Sequence, residues 1–373
     1  NDGEYGRENY LAELLSRIDG LGNVGGVAAP AADCACCMPL ASDMLDVPLY
    51  ANRFTGGNGI ITLNPKRPAK GNVACVGFPK YLGGAVDASA LLDAARATGR
   101  GLDQVFFSAP SPGTVACFCE DRYFAPDVAC PKVGATGRPF SAAAHKAYVF
   151  ALADAVAEEY AQVAKLGVAL QLDCPDLAMG RHTRWSDLTD DQFVRDVVEV
   201  NVAALNRALA KADVDKATTR FHLCWGNYSG PHHHDILGEK IWAAAMKVEA
   251  GVVLLEAANP RHEWEWERLL KAAPLAEGMR VAAGVIDTKV STVEHPELVA
   301  RRLLRFAEAV GPWRVLAGTD CGMASTAKSA AVTADVAWLK LGALGEGARI
   351  ARKAVANASA PLASPTTLTA VGF

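Results

Sequence analysis

Thr219-Arg220-Phe221-His222-Leu223-Cys224-Trp225-Gly226-Asn227 reads as a β-strand, Arg220–Cys224, closed by a Gly-Asn turn. On a strand, residues i and i+2 share a face. His222 and Cys224 therefore project together from the strand's end, and both are ligand types for a soft, zinc-like metal. A helical pattern near Leu237–Ala250 follows, and then a second apolar strand, Val252–Glu256. A strand, a helix and another strand make one parallel βαβ unit.

The same alternation extends in both directions. Upstream, the β-rich run Gln104–Ala109 enters a Ser-Pro-Ser-Pro-Gly turn. A long helix, Ser141–Leu166, is stopped by Gly167. The strand Val168–Leu172 ends in Asp173-Cys174-Pro175-Asp176, and a capping box at Thr189 opens a helix to about Ala212. Downstream come a helix near Trp264–Ala273, the strand Arg280–Ile286, and a helix from Pro296 that stops before Gly311. The last strand, Arg314–Ala317, ends in Gly-Thr-Asp-Cys-Gly, and a helix spans about Ala334–Ala354.

Six such strands lie beyond residue 100. Asn1–Glu4 reads as the tail of another, and a first strand is expected upstream of Asn1. Eight would close a (β/α)8 TIM barrel in one domain, 1–373, with its active site at the C-terminal strand ends. The polar residues cluster there: Asp173, Asp176, His222, Cys224, Glu256, Asp287, Asp320 and Cys321. A doubly wound open sheet is the alternative, but no Gly-x-Gly-x-x-Gly follows any of these six strands. Residues 20–100, rich in Gly, Pro and Ala, read as an irregular insertion with a hairpin around Gly59–Leu63 and Asn72–Phe78. Residues 357–373 read as a loosely ordered tail.

The chain has 373 residues, 51% of them hydrophobic, enough for a large core. A formal net charge of −4 provides no pull toward nucleic acid or an anionic membrane. No apolar run reaches the roughly 18 residues that span a bilayer. Ten cysteines at irregular spacings suggest reduced thiols and a cytoplasmic setting.

Residue types alone leave two readings of the strand-end cysteines and histidine. His222, Cys224, Glu256 and Cys321 would satisfy a tetrahedral zinc ion. Equally, Cys224 and Cys321 would serve as buried apolar thiols and His222 as a core histidine. The long separations match no finger-type spacing.

Several blocks, in order, resemble the C-terminal barrel of cobalamin-independent methionine synthase, and its single-domain relatives more closely. They are His222-Leu-Cys-Trp-Gly-Asn, Leu254-Leu-Glu-Ala-Ala-Asn-Pro-Arg-His-Glu, Gly284-Val-Ile-Asp-Thr and Gly318-Thr-Asp-Cys-Gly. Gln171-Leu-Asp-Cys-Pro-Asp and Asn1-Asp-Gly-Glu-Tyr-Gly-Arg fit two further blocks. The resemblance implies a barrel with Zn2+ held by His222, Cys224, Glu256 and Cys321. It also implies that Glu4 and Asp173 bind the amino group of an amino-acid thiol. The expected chemistry is zinc-assisted alkyl transfer, in which a small-molecule thiol attacks a methyl or other alkyl donor. Glu256 would be the ligand that yields to the thiol.

The chain departs from that pattern at two positions. Cys174 stands where methionine synthase has Glu, and Lys289 where it has a catalytic His. Lys289 and Asp287, together with His233 of the His232–His234 run, are the expected acid/base groups. Asp176 and Ser111 are expected to line the substrate cleft. Arg181-His182 and Arg261-His262-Glu263 fall on equivalent loops, for substrate binding or surface salt bridges. Cys34–Cys37 reads as metal-binding or redox-active at most. The competing functions are epoxide opening by a thiol, as in coenzyme M transfer, a non-catalytic thiol-binding zinc barrel, and a metal-free decarboxylase-type barrel. A homo-oligomer is left open.

Overall fold

The computed structural model describes residues 17–23, 73–84, 86–125, 140–228, 230–323 and 332–359. The described strands, in chain order, are β1 Ile18–Asn23, β2 Val73–Tyr81, β3 Phe106–Pro110, β4 Glu120–Asp121, β5 Ala169–Cys174, β6 Arg220–Leu223, β7 Val252–Glu256, β8 Arg280–Gly284 and β9 Val315–Gly318. Six of them form one sheet in the order β3-β5-β6-β7-β8-β9, every neighbour parallel. Each strand lies beside the one that follows it in this series, as a repeated βαβ unit requires.

The crossover helices begin where the side chains permit. Ser141 caps the helix Ala142–Lys165 by accepting from the Ala144 N–H, and Thr189 forms the expected capping box with Gln192. The last described helix is Ala334–Ser359, and no described helix is long and apolar enough to cross a membrane.

The strands alternate between two environments. Phe221, Leu223, Val253, Leu255, Val281 and Ala283 share the main core with helix residues such as Leu152, Leu205 and Trp242. Val252, Leu254 and Ala282 form a separate small cluster with Leu316 on the opposite face. His222 pairs with Leu254, which pairs with Ala282, so the histidine lies on that inner face. The period of two thus places Phe221 and Leu223 among the helices and His222 within the sheet's concavity-side row.

Among the described residues the sheet has six strands and no closed ring, where eight strands in a closed barrel were expected. Asn1–Glu4 and the first arm of the expected hairpin lie outside the described residues. Its second arm is real but pairs elsewhere: β2 runs antiparallel to β1 and parallel to β4, forming a separate three-stranded sheet. A helix, Ser89–Ala97, follows it in what the composition read as an irregular insertion.

Candidate metal centre

Two chain segments meet at the C-terminal ends of β6 and β9. His222 lies on β6, Cys224 follows its end, and Cys321 follows β9. All three are buried, and their ligand atoms lie within 4.8 Å of one another. The two sulfurs are 3.8 Å apart. Two thiolates at about 2.3 Å from one tetrahedral zinc stand about 3.8 Å apart, whereas a disulfide holds its sulfurs near 2.05 Å. Both ring nitrogens of His222 are buried without a well-aligned hydrogen bond, and the Cys321 sulfur is the group that interacts with the ring. Buried nitrogens of this kind ordinarily make such a bond. The set therefore fits a zinc ion bound by one nitrogen and two sulfurs.

Electrostatics point the same way. A hydrogen bond from Cys224 holds the Cys321 thiol well below its ordinary pKa, against burial and with help from His222. That shared bond and burial push Cys224 up. The pair thus behaves as a buried thiol and thiolate, a combination that a cation would relieve. The Gly226 N–H donates to the Cys224 sulfur at 3.2 Å. Gly226 has φ +99°, and a side chain there would press on Met179 and Tyr228. The turn that offers this N–H is therefore suited to glycine.

Glu256, expected as a fourth ligand, is placed differently. Its Oε1 accepts from the Trp225 N–H at 3.0 Å, and its Oε2 accepts from Asn259 Nδ2 at 2.9 Å and Lys289 Nζ at 3.0 Å. It is buried and is not a member of the His222–Cys224–Cys321 cluster. Lys289, expected as an acid/base group, is paired with this carboxylate. Burial opposes its charge, but Glu256 and then Asp320 hold the ammonium above the usual lysine range. Asp287 accepts from the Lys289 N–H at 2.7 Å, so its carboxylate shapes the loop that carries the lysine.

Asp320 was grouped with the strand-end acids, but its role was not foreseen. Its carboxylate takes the N–H groups of Ala257, Ala258 and Asn259 and the Asn259 side chain, at 2.8 to 2.9 Å. Burial, then Glu256, pushes its pKa up to about 7. It locks the loop after β7 against the end of β9, and Gly284 leaves the room, since a Cβ there would lie 2.6 Å from the Asp320 carboxylate.

Asp173 pairs with His222 across β5 and β6, so the two side chains share the inner face, and Asp173 is only partly buried. Ser111 and Asp176 are not open to a cleft. The Ser111 hydroxyl donates to Asp176 Oδ1 at 2.7 Å, Thr114 donates to the same oxygen at 2.9 Å, and Asn201 donates to Oδ2 at 2.9 Å. Asn201 Oδ1 in turn meets His145 Nε2 at 2.8 Å. Ser111 also caps the helix Pro112–Phe118. Both residues brace the scaffold.

The loop histidines sort by burial. His233 is exposed, and its carbonyl accepts from Arg261 at 3.1 Å. His232, its neighbour, is buried, with Nδ1 at 2.9 Å from Asp235 Oδ2. His262 Nε2 meets that same oxygen at 2.9 Å, and His182 Nδ1 lies 3.3 Å from Oδ1. His262 Nδ1 also meets Glu265 at 2.7 Å, and its ring stacks on Trp225 with centroids 4.2 Å apart. Loops after β5, β6 and β7 are thus tied to one carboxylate, Asp235. The sequence reading missed Asp235, Asn259 and Trp225. His-His-His-Asp and Glu-Ala-Ala-Asn were the visible signals, but nothing local said which residues face inward. Glu4 and Cys34–Cys37 lie outside the described residues.

No protein-family model matches the chain. Over 233 residues it is 28% identical to the 2-hydroxypropyl-CoM lyase of Xanthobacter autotrophicus, a match covering 56% of this chain and 56% of that protein. The chain thus spans about half the length of this curated relative. Among solved structures, a B12-independent methionine synthase from Shewanella sp. W3-18-1, in complex with selenomethionine, aligns at TM-score 0.56 with 19% identity. That alignment covers 94% of this chain and 81% of that one. It shows a shared fold of the TIM-barrel type.

Proposed function

We propose that this chain is a zinc-dependent enzyme that activates a small thiol and joins its sulfur to an alkyl carbon. The observation that carries the reading is the convergence of His222, Cys224 and Cys321, with sulfurs 3.8 Å apart beside a histidine whose buried nitrogens have no well-aligned hydrogen bond. Zinc at these residues would supply the Lewis acidity that lowers the pKa of a coordinated thiol. The protein's own groups do the rest. The Gly226 N–H tempers the charge on Cys224. Asp320 and Asn259 keep the loop after β7 in place. Asp173, on the inner face beside His222, is the carboxylate assigned to a substrate's amino or hydroxyl group.

A second reading has its own support. The 28% identical relative is, by its name, a lyase of 2-hydroxypropyl-CoM. Such a thioether forms when a thiol sulfur attacks an epoxide carbon, the C–O bond breaks, and the proton released by the thiol ends on the new hydroxyl. Lyase action is the reverse. Lys289, in place of a proton-passing histidine, agrees with a reaction whose proton comes from the thiol itself.

Metal analysis and a thiol screen test both readings. About one zinc per chain is expected, with a thioether product from small thiols paired with methyl donors or epoxides, read by mass spectrometry. Product from an epoxide alone selects the second reading. A chain that binds no zinc sinks both, and zinc without product under any pairing leaves a thiol-binding protein.

A further inference from the structure

Glu256 is the strand-end carboxylate nearest in sequence logic to a metal ligand, yet its hydrogen bonds run to groups outside the His222–Cys224–Cys321 cluster. An ionised carboxylate offers about four acceptor sites. Trp225 N–H, Asn259 Nδ2 and Lys289 Nζ occupy three of them at 2.9 to 3.0 Å. None of these donors is loose. Asn259 Nδ2 is shared with Asp320 at 2.8 Å, and Asn259 Oδ1 takes the N–H groups of Arg261 and His262. The Lys289 loop is braced from behind. Asp287 Oδ1 takes the Lys289 N–H, Glu294 Oε1 takes the Asp287 N–H, and Glu294 Oε2 takes the fully buried Lys340 Nζ at 2.8 Å. Moving Glu256 onto a metal would take from a partly buried ammonium its hydrogen-bonded counter-charge and leave only the charge of Asp320.

We propose that Lys289 is a positioning residue that holds Glu256 out of the metal's coordination shell, leaving His222, Cys224 and Cys321 as the protein ligands. This rests on the zinc reading given above. Charge explains the benefit. Two thiolates and a neutral imidazole on Zn2+ sum to zero, so an incoming thiolate meets a neutral centre. A bound carboxylate would make that centre anionic before the thiol arrived. Three protein ligands and an open fourth position are the arrangement of catalytic rather than structural zinc. The pattern of ligands in this chain then differs from the His-Cys-Glu-Cys set that its strand ends suggest.

The test uses the full chain loaded with Co2+, with 2-mercaptoethanol as the thiol probe. Metal affinity is read by chelator competition, coordination by the visible Co2+ spectrum, and folding by circular dichroism. Glu256→Gln should keep one Co2+ per chain and the wild-type visible spectrum, its affinity falling by no more than the roughly 10–100-fold typical of a group outside the ligand shell. Lys289→Met should free Glu256 to bind. Its spectrum should shift, and it should need about tenfold or more 2-mercaptoethanol for the sulfur-to-metal band that the wild type shows. Lys289→Met with Glu256→Gln should restore the wild-type response. A folded Glu256→Gln whose Co2+ spectrum shifts or whose affinity falls by more than about 100-fold, or a folded Lys289→Met with the wild-type spectrum and thiol response, overturns the proposal. If Lys289→Met does not fold, the Glu256→Gln spectrum and affinity decide alone. A wild-type chain that takes up no Co2+ or Zn2+ overturns the zinc reading as well, and so is told apart from either result.

Discussion

The sulfurs of Cys224 and Cys321 stand 3.8 Å apart, although 97 residues of chain separate them. A closure of less than about 2 Å would bring them to disulfide length. Stripped of metal in air, the chain is expected to lose two free thiols, and peptide mapping should place the new disulfide at Cys224–Cys321. The zinc-loaded chain should keep both, since each lone pair is engaged. Unchanged thiol titration after chelation would count against a shared metal site.

His145 makes the scaffold sensitive to acid. Burial lowers its pKa to about 4, only partly offset by its hydrogen bond to Asn201. A histidine with a depressed folded pKa lends stability above its unfolded value of about 6.5 and loses it as pH falls toward the folded one. The shift corresponds to about 3 kcal/mol at most. His145→Gln keeps a donor for Asn201, so urea melts at pH 7 and pH 5 should differ less for the variant than for the parent. Asp176, pushed up to about 6 by burial, works in the opposite sense and loses its contribution as pH rises from about 4 to 6. Equal acid sensitivity in His145→Gln would show that another group is responsible.

Asp235 is the anchor of three histidines. Burial would raise its pKa, but His232 and His262 hold it well below the carboxylate range. Burial would lower His262, yet Asp235 and Glu265 raise it to about 9. The His262 contribution is present below about 6.5 and is lost as pH rises toward 9, while that of Asp235 fades below about 4. Asp235→Asn is expected to cost roughly 3–5 kcal/mol at pH 6, because it strands buried partners. The penalty should shrink at pH 9.5. Thermal melts at the two pH values check this, and a penalty that does not change with pH would refute the charge assignment.

His232 and His233 are adjacent but should respond to truncation by different amounts. His233→Ala removes an exposed ring and should shift stability by no more than about 0.5 kcal/mol. His232→Ala removes a buried partner of Asp235 and should cost about 1–3 kcal/mol. Zinc content is expected to survive in both. A loss of metal on His233→Ala would return that residue to the cleft.

Much of the fold was legible because its signals are local. Thr189 and Gln192 lie three residues apart, so their capping box is written within one turn. Each of the six strands expected beyond residue 100 is present, with bounds shifted by a few residues. The insertion was not legible, because β1 and β2 pair across a long stretch of chain and neither alternates cleanly. The surroundings of Ser111 and Asp176 were not legible for a related reason. Strand-end polar residues fit a cleft and a brace equally well, and only the Asn201 side chain, 25 residues from Asp176, decides between them.

For this protein, sequence by itself determined the alternation of strands and helices and the shared face of His222 and Cys224. Periodicity and spacing are properties of a few neighbouring residues. Only the tertiary structure decided that Cys321 joins them, that Glu256 turns to Lys289, and that His232 rather than His233 is inside. Those outcomes depend on which strand ends meet and where each buried charge finds its partner. Such pairings are set by burial across the whole sheet, which no single stretch of chain contains.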